Sequence, residues 1–270
     1  MARMTVAIIG AGVMGETLLS GLLRAGRQAD DLLVGEKRRE RATELEERYG
    51  VRVLGNLDAA RQADTVVLVV KPQDMGDLLD ELATVVRPGQ LVVSLAAGIT
   101  TAFMESRLPD GVAVVRVMPN TPALVDEGMA AISRGSHCDE GHLEEAEGLM
   151  AATGRVLRVP ERQQDAVTAI SGSGPGYIFF VVESMIEAGV HLGLPRATAA
   201  ELVVQTVVGS AKLLRDTGEH PVVLRERVTS PAGTTAAALR QLEEHKVRAA
   251  FLVAIEAARD RSRALAAGQD

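Results

Sequence analysis

The segment ISGSGPGYIFFVVESMIEAGVHLGLP, residues Ile170–Pro195, separates two halves of the chain that have different sequence patterns. Glycines and a proline open it, and nearly every residue of Tyr177–Leu192 is apolar. Within this run Glu183, Glu187 and His191 recur at every fourth position, so they form one narrow polar stripe on a helix. A helix of about 16 residues with such a stripe is too short and too charged to span a bilayer. We therefore predict a helix that protein buries on nearly every side.

Strand and helix patterns alternate before this segment. Five short apolar runs are each followed by glycine or polar residues: Thr5–Ile9, Leu32–Gly35, Thr65–Val70, Leu91–Leu95 and Ala113–Met118. A run that is apolar throughout is typical of a strand buried on both faces of a parallel sheet. Residues 128–159 add two more strand patterns around a helical one. The alternation predicts an α/β Rossmann-type N-terminal domain with a parallel sheet.

The first strand pattern leads into a glycine-rich motif, GAGVMG at residues 10–15, and a helical pattern follows it. Strand, GxGxxG and helix in this order are the context that a dinucleotide-binding fingerprint requires. Gly10 permits the tight turn, Gly12 lets the backbone approach a pyrophosphate, and Gly15 lets the helix lie close to the strand. A purely structural glycine turn is the alternative, and the context favours a cofactor. The predicted cofactor-binding residues of this motif are Gly10, Gly12, Val13, Met14 and Gly15.

Four charged residues, Glu36-Lys37-Arg38-Arg39, follow the second strand pattern. An acid about 20 residues past the fingerprint would hold the ribose hydroxyls of NAD, whereas cations there would hold the 2′-phosphate of NADP. The solvated start of a charged helix is the alternative. Because three cations cluster at this strand end, we predict that Glu36, Lys37 and Arg38 contact the cofactor. NADPH is then preferred, and Glu36 keeps NAD possible.

Three later strand patterns end in loops that carry polar groups or glycine. These loops are Lys71-Pro72-Gln73-Asp74, Ala96-Ala97-Gly98 and Pro119-Asn120-Thr121-Pro122. In open α/β sheets the ligand crevice lies outside the carboxyl ends of the strands. We therefore expect these loops, with Lys71 and Pro72 among the contacts, to surround the nicotinamide half of the cofactor. Any single proline more often only stiffens its loop.

Other groups that could carry chemistry are given structural interpretations. The acids between residues 140 and 147 are interpreted as the solvated face of a helix, because no His or Cys stands at ligand spacing among them. Cys138 follows His137, but a buried or incidental thiol is commoner than a nucleophile. Glu187 and His191 could form an acid pair or half of a metal site; a satisfied stripe is favoured, since no third ligand is visible. No metal site is predicted.

The second half of the chain, after a boundary near residues 160–163, reads as helical throughout. We predict domains at 1–162, which binds the dinucleotide, and at 163–270, an all-α domain for substrate binding and dimerisation. A second helix, Arg196–Leu214, again carries a thin polar stripe among apolar residues. Two such helices cannot be buried within about 107 residues. Their remaining apolar surface must therefore meet another subunit.

A segment rich in hydroxyls, Val228–Thr235, precedes a helical pattern and a last helix from Val247 to about Leu265. Ser and Thr hydroxyls with exposed N–H groups at a helix start form an uncharged anion pocket, which suits a carboxylate. An ordinary helix cap needs one such residue, whereas this segment contains four hydroxyls and a glycine. The pattern indicates a site for a small carboxylate substrate.

Six motifs, in order, resemble the pyrroline-5-carboxylate reductase family: IIGAGVMG, VKPQD, SLAAGIT, RVMPNTP, SGSGPGY and TSPAGTTAAALRQLE. The resemblance runs the length of the chain. It implies a Rossmann domain, a helical domain that interlocks with its partner in a homodimer, and a site between them. The resemblance further implies that the homodimer can assemble into a higher oligomer such as a decamer. It also implies the last step of proline biosynthesis, the reduction of 1-pyrroline-5-carboxylate to L-proline with NAD(P)H.

The resemblance also assigns residues. By position, Asn56, Lys71, Ala97 and Asn120 are implied on the cofactor side, and Ser230, Gly233, Thr234 and Thr235 form the implied substrate loop. Two positions depart from the family pattern. Ala232 stands where the family usually has a first glycine, and Gly176 stands where it usually has alanine. We expect these departures to affect the flexibility of the loop and the entry into the helix.

The residue types independently favour an imine as the substrate. Reducing a ketone requires a proton donor for the developing alkoxide, whereas a cyclic imine can arrive protonated and needs hydride, orientation and a partner for its N–H. The loop offers hydroxyls and backbone, without His, Lys or carboxylate. We expect Thr235 to hydrogen-bond the ring nitrogen, and Ser230 with the amides of Gly233 and Thr234 to hold the carboxylate. Thr235 and Ser230 are therefore the predicted catalytic residues.

Two other functions stay open at this point. A two-domain hydroxyacid dehydrogenase would place a catalytic lysine on the helix after the domain junction, and Tyr177–Leu192 contains none. A non-catalytic NADP-binding sensor would bind cofactor without turnover.

Composition limits the partners and the compartment. The net charge is −7, and the chain has two Tyr, four Phe and no Trp, which argues against a nucleic-acid partner. A single cysteine suits a reducing cytosol, and the chain enters a strand almost at once without a signal-peptide pattern. We expect a cytoplasmic protein with a small-molecule substrate, no nucleic-acid partner and no membrane partner.

Overall fold

The structure, a computed structural model, describes residues 4–266 and divides into two compact units. The first unit comprises the described residues up to Ser173 together with those from Ala258 onward, and the second is Gly174–Ala257. The family-like segment SGSGPGY therefore contains the junction. The sequence-predicted boundary at residue 162 lies before it, and the outer limits of the predicted domains, residues 1 and 270, lie outside the described residues.

The first unit alternates strands and helices. Its strands β1 to β8 are Val6–Ile9, Leu32–Gly35, Arg52–Leu54, Thr65–Leu68, Leu91–Ser94, Ala113–Met118, Gly128–Arg134 and Gly154–Arg158. Its helices α1 to α7 are Val13–Arg24, Arg39–Tyr49, Asn56–Gln62, Met75–Leu82, Thr101–Glu105, Glu140–Ala151 and Gln164–Val167. The alternation predicted from the sequence is confirmed, and the predicted strands end within two residues of the observed ones.

Within the described residues the strands form one eight-stranded sheet in the order β3-β2-β1-β4-β5-β6-β7-β8. Neighbours are parallel except β6 and β7, which are antiparallel. The order reverses between β1 and β4, because the chain leaves β1 in one direction and returns to its other side. A reversal of this kind opens a crevice at the carboxyl ends of the two strands.

The sheet is buried on both faces, as its apolar strands require. One face packs with Leu18, Leu19 and Leu22 of α1, and the other packs with Leu78, Leu79 and Leu82 of α4. Burying a large apolar side chain contributes about 1.5–3 kcal/mol. These two layers therefore hold the carboxyl ends of β1, β2 and β4 rigidly, and those strand ends carry the predicted cofactor loops.

The second unit is helical. It contains α8 to α11, Gly174–His191, Arg196–Thr217, Pro221–Arg227 and Thr234–Glu244, and most of α12, Val247–Ala266. Helices α8 and α9 pack closely, since a Cβ added to Gly189 would lie 2.9 Å from the Cβ of Ala199. A helical second half is confirmed. Helix α8 begins three residues earlier than predicted, and Gly174 to Gly176 are its first turn.

In the single chain helix α8 is largely exposed, so its predicted burial on nearly every side requires a partner chain and stays a prediction. Within Gly174–Ala257, all of which the structure describes, Ala199 and Val203 are the buried residues, and eighteen large apolar side chains are exposed. Phe179 and Phe180 of α8 are among them. By length and mean hydropathy, one helix of the described residues, α9, could cross a membrane. The same apolar pattern is typical of a helix covered by another protein chain.

Candidate functional site

The glycine-rich turn after β1 has the geometry of a phosphate-binding loop. Gly10 has a φ of 101°, in the region that favours glycine, and a Cβ there would lie 2.5 Å from the Val69 carbonyl oxygen. A Cβ on Gly15 would collide with the Gly10 carbonyl, so helix and strand are in close contact. A Cβ on Gly12 would meet nothing within 4 Å. The space around Gly10 and Gly15 therefore requires glycine, while the approach of a pyrophosphate to Gly12 stays a prediction.

Helix α1 begins at Val13 directly after this turn, and no side chain caps it at Gly12. The first amides of a helix have no intrahelical acceptor, and the helix dipole makes that end positive. Val13 and Met14 contribute two of these amides. The turn therefore offers backbone donors to an anion such as a pyrophosphate.

A cavity of about 380 Å³ opens beside this turn. It brings together residues that follow the four strands β1, β2, β3 and β4. Its lining residues are Gly10, Gly35, Glu36, Lys37, Asn56, Val70, Asp74, Asp77, Leu78 and Glu81. Asn56 opens α3, and its Oδ1 would lie 2.9 Å from a Cβ on Gly35, so a larger residue at the end of β2 would displace it. The cavity unites Gly10, Glu36, Lys37 and Asn56 of the predicted set.

Two acidic residues that line this cavity, Asp77 and Glu81, were not predicted from the sequence. Asp77 and Glu81 stand one turn apart on α4, and Asp74 precedes that helix. Their helical spacing, combined with the strand end at Lys71, was the signal that could have found them. The Lys37 ammonium lies 3.9 Å from a Glu81 carboxylate oxygen, so Glu81 holds a cation at the cavity edge.

The Glu36 carboxylate already accepts hydrogen bonds from Arg38. The Arg38 guanidinium donates from Nε to Oε1 and from Nη2 to Oε2, each at 3.1 Å, and the Arg38 backbone N–H donates to Oε1 at 2.9 Å. The Glu36 side chain is 8% exposed and that of Arg38 is 70% exposed. The bonds from Arg38 hold the pKa of Glu36 below its usual value. Glu36 is thus an ionised acid whose two oxygens face a cation.

The loops predicted around the nicotinamide half differ in what their residues do. Lys71 precedes a short turn at Pro72–Asp74 and is exposed, and Ala97 is exposed after buried Ala96. The Asn120 amide is engaged within the first unit. Its Nδ2 lies 3.2 Å from the Ser171 carbonyl oxygen, and its Oδ1 accepts from the Met129 N–H at 2.8 Å.

None of Lys71, Pro72, Ala97 and Asn120 lines the 380 Å³ cavity. Asn120 instead joins the loop after β6 to the segment that precedes α8, through its hydrogen bond to the Ser171 carbonyl.

The predicted substrate loop lies between α10 and α11 in the second unit. Helix α11 begins at Thr234 with Gly233 as its cap residue, and the Gly233 N–H donates to the Ser230 carbonyl at 3.0 Å. A Cβ on Gly233 would collide with the Ser230 hydroxyl. Ser230 and Thr234 are exposed, and Thr235 is partly buried. The loop presents hydroxyls and free first-turn amides at one helix end, which is the arrangement that the sequence predicts.

The backbone of Ala232 bears on the departure from the family pattern. Ala232 has a φ of 56°, the left-handed region that favours glycine. The position therefore requires a conformation for which alanine is poorly suited, and the usual glycine would adopt it without strain.

Residues for which the sequence favoured a structural role over a catalytic or metal-binding one include Cys138 and Glu187. Cys138 is 3% exposed, which confirms a buried thiol, and burial raises the pKa of that thiol. Glu187 forms an ion pair with Arg196 at 2.7 Å. In the part of the chain that the structure describes, no group of three or more His, Cys, Asp and Glu side chains could hold a metal ion.

A phosphate-binding turn at the switch point of a Rossmann-type sheet, followed by a helical unit, is typical of oxidoreductases that bind a nicotinamide dinucleotide. The family models agree with both halves. Residues 5–98 match the model described as NADP oxidoreductase coenzyme F420-dependent, and residues 161–265 match that of pyrroline-5-carboxylate reductase dimerisation.

Similar proteins cover nearly the whole chain. The pyrroline-5-carboxylate reductase of Corynebacterium melassecola is 46% identical over 97% of this chain and 98% of its own length. A solved pyrroline-5-carboxylate reductase from Coxiella burnetii has a TM-score of 0.93 at 36% identity, covering 97% and 98% of the two chains. The Plasmodium falciparum pyrroline carboxylate reductase, solved with NADP bound, has a TM-score of 0.87 at 28% identity, covering 98% and 99%. The chain belongs to the pyrroline-5-carboxylate reductase family.

Proposed function

We propose that this chain reduces 1-pyrroline-5-carboxylate to L-proline, the last step of proline biosynthesis, with hydride from NADPH. The observation that carries the proposal is family membership over nearly the full length, together with an intact phosphate-binding turn and an intact hydroxyl-rich loop. NADPH supplies the hydride when it is bound. The protein's own residues align the two reactants and hold the carboxylate.

The cofactor is proposed to bind along the carboxyl ends of β1, β2 and β4. Its pyrophosphate would meet the amides of Gly12, Val13 and Met14, and its adenosine would enter the 380 Å³ cavity near Asn56. Lys71, Pro72, Ala97 and Asn120 remain proposed residues of the nicotinamide side. Because Arg38 neutralises Glu36 and Lys37 stands beside it, we propose that NADPH is preferred and that NADH is a weaker substitute.

The substrate loop is proposed to work without an acid. The Thr235 hydroxyl accepts a hydrogen bond from the N–H of the protonated imine and so orients the imine carbon toward the hydride donor. Ser230 and the Thr234 amide bind the carboxylate, as exposed groups at a helix start are able to do. The Gly233 amide joins them once it exchanges its hydrogen bond to the Ser230 carbonyl for the substrate. Because the protonated imine brings its own proton, no side chain need transfer one.

The folded unit is proposed to be a homodimer formed through residues 163–270. The eighteen exposed apolar side chains of Gly174–Ala257 support it, since apolar surface contributes roughly 25 cal/mol per Å² when buried. A second copy, rather than a lipid bilayer, would then cover α9. Assembly of dimers into a decamer and a cytoplasmic location, which suits a single reduced cysteine, are finer parts of the same proposal.

The proposal is tested by following NADPH oxidation at 340 nm with 1-pyrroline-5-carboxylate and identifying the product. We expect turnover, with L-proline formed in the amount of NADPH consumed, and slower turnover with NADH. Oxidation with 2-oxo acids in place of the imine would indicate a hydroxyacid dehydrogenase. Tight NADPH binding without turnover of any cyclic imine acid would indicate a sensor, and either result would overturn the proposal.

A further inference from the structure

Arg41 connects helix α2 to the phosphate-binding turn across 30 residues of sequence. Its Nε and Nη2 each lie 3.3 Å from the Ala11 carbonyl oxygen. The same guanidinium forms ion pairs with Glu16 on α1 and with Glu44 on its own helix. The Arg41 side chain is 18% exposed, so these contacts hold it in one place. It is the third residue of α2 and was not among the residues predicted from the sequence.

Glu16 is held from three sides. Besides Arg41, its carboxylate accepts a hydrogen bond from the Tyr49 hydroxyl at 2.7 Å and from Arg48 Nη1 at 2.9 Å. The bond from Tyr49, followed by those from Arg41, keeps the pKa of Glu16 below its usual value. Glu16 stays ionised at neutral pH and anchors the Arg41 fork beside the turn.

The contact with Ala11 determines where the next amide points. A trans peptide unit is planar, and its C=O and N–H point in opposite directions. No peptide bond between described residues is cis. Because the Ala11 carbonyl faces Arg41, the Gly12 N–H faces away from it. Among the described residues that N–H has no hydrogen-bond acceptor, and the space beside Gly12 is open to 4 Å.

We infer that Arg41 is a positioning residue, which turns the Gly12 amide toward the pyrophosphate of the cofactor by holding the carbonyl on the other side of the same peptide unit. The inference rests on the proposed cofactor binding. Gly12 lacks a side chain that could restrict its backbone, so the peptide unit would rotate more freely without Arg41. Arg41 touches no cofactor atom in this role, and its two donors suit one carbonyl better than a single ammonium would.

The chain supplies a matched control. Arg48 lies on the same helix and binds the same Glu16 carboxylate, but it makes no contact with Ala11 and its side chain is 62% exposed. Arg48→Met removes one ion pair of Glu16 and leaves the carbonyl contact intact. Arg41→Met removes the carbonyl contact and the ion pairs with Glu16 and Glu44, whereas Arg41→Lys keeps a cation near Glu16 but loses the two-donor contact with the carbonyl.

The experiment measures dissociation constants for NADPH and for adenosine 2′-monophosphate, which lacks the pyrophosphate. The protein contains no Trp, so the fluorescence of NADPH reports binding directly, and calorimetry serves for the monophosphate. For Arg41→Met we expect about tenfold weaker NADPH binding, with monophosphate affinity within about twofold of the parent. Arg48→Met should change neither by more than about twofold. Arg41→Lys, the variant more certain to fold, should lose NADPH affinity by roughly three- to fivefold.

Steady-state kinetics give an independent reading. A displaced amide weakens pyrophosphate binding equally in the ground and transition states, so KM for NADPH should rise while kcat at saturation stays near the parent value. Equal losses of affinity for NADPH and the monophosphate would overturn the inference. So would Arg41 variants whose dissociation constants match those of Arg48→Met. A parent protein that binds NADPH but does not reduce 1-pyrroline-5-carboxylate would refute the proposed function and leave the titrations decisive for Arg41.

Discussion

Replacing Arg38 by alanine should change the affinities for NADPH and NADH in opposite directions. The side chain now donates two hydrogen bonds to the Glu36 carboxylate, at 3.1 Å each. Removing it deletes a cation available to a 2′-phosphate. It also frees an acid that can accept the 2′-hydroxyl of NADH. We therefore expect Arg38→Ala to bind NADPH more weakly and NADH more strongly than the parent.

The magnitude follows from the exposure of the two groups. Arg38 is 70% exposed, so solvent screens its bond to a phosphate and its loss should weaken NADPH binding only about tenfold. The Glu36 side chain is 8% exposed, and a new hydrogen bond to it should contribute about 0.5–1.5 kcal/mol to NADH binding, or roughly two- to tenfold. The ratio of the two affinities should therefore fall by roughly 20- to 100-fold.

Two further variants separate the expected loss of NADPH affinity from the expected gain of NADH affinity. Arg39→Ala removes a neighbouring cation without freeing Glu36, so it should weaken NADPH binding and leave NADH unchanged. Glu36→Gln added to Arg38→Ala should abolish the NADH gain and keep the NADPH loss. Dissociation constants for both cofactors, measured for all variants at one salt concentration, test the reasoning. Equal losses of NADPH and NADH in Arg38→Ala, or an NADH gain that survives Glu36→Gln, would refute it.

Four more predictions follow from the loop, the fold and the titrating groups. Thr235→Ala should lower kcat by about tenfold to a hundredfold, since it removes one hydrogen bond of about 1–3 kcal/mol, while Thr235→Ser retains most activity and Ser230→Ala chiefly raises KM for the substrate. Complete loss of turnover in a folded Thr235→Ala protein would mean that the substrate needs an enzymic proton donor. Light scattering of dilute protein should give at least twice the chain mass of 28.5 kDa, and a stable active monomer would contradict the interface. Because the pKa of Glu16 is lowered from 4.5, its stabilising contribution is present above that pH and lost as the pH falls through the lowered value; the difference in unfolding free energy between the parent and Glu16→Gln should shrink below pH 4.5. Ala232→Gly should relieve the left-handed backbone and raise Tm slightly, and a lower Tm would show that the φ of 56° is not strained.

The fold could be predicted from the sequence where patterns are local. Apolar β-branched runs such as Thr65–Leu68 indicate buried strands, and a glycine motif after the first one indicates the helix start at Val13. Strand β3, Arg52–Leu54, was missed because it has three residues, begins with a charge and is only partly buried. Short edge strands carry little pattern of their own, and the neighbour that pairs with them decides their conformation.

The contacts that refine the site could not be predicted, because they join residues far apart in the sequence. Arg41 meets Ala11, Asn120 meets Ser171, and each pairing depends on where the sheet places two loops. Spacing correctly indicated that Glu36 and Arg38 stand together, but whether the acid stays free for a ribose depends on a side-chain conformation. The sequence thus predicts the chemical groups present at a strand end, while packing determines which of them are still available.

The apolar helices show how folding and activity are connected in the second unit. In a single chain the buried residues of Gly174–Ala257 are Ala199 and Val203. A core of two small side chains is too small to stabilise α8 and α9 without a partner. The proposed substrate loop, Ser230–Thr235, belongs to the same unit and depends on the position of α11. A partner that covers α8 and α9 therefore stabilises the helices that hold the loop. Because association then stabilises the folded state by mass action, both thermal stability and specific activity should fall together when the protein is diluted below the dissociation constant of the dimer.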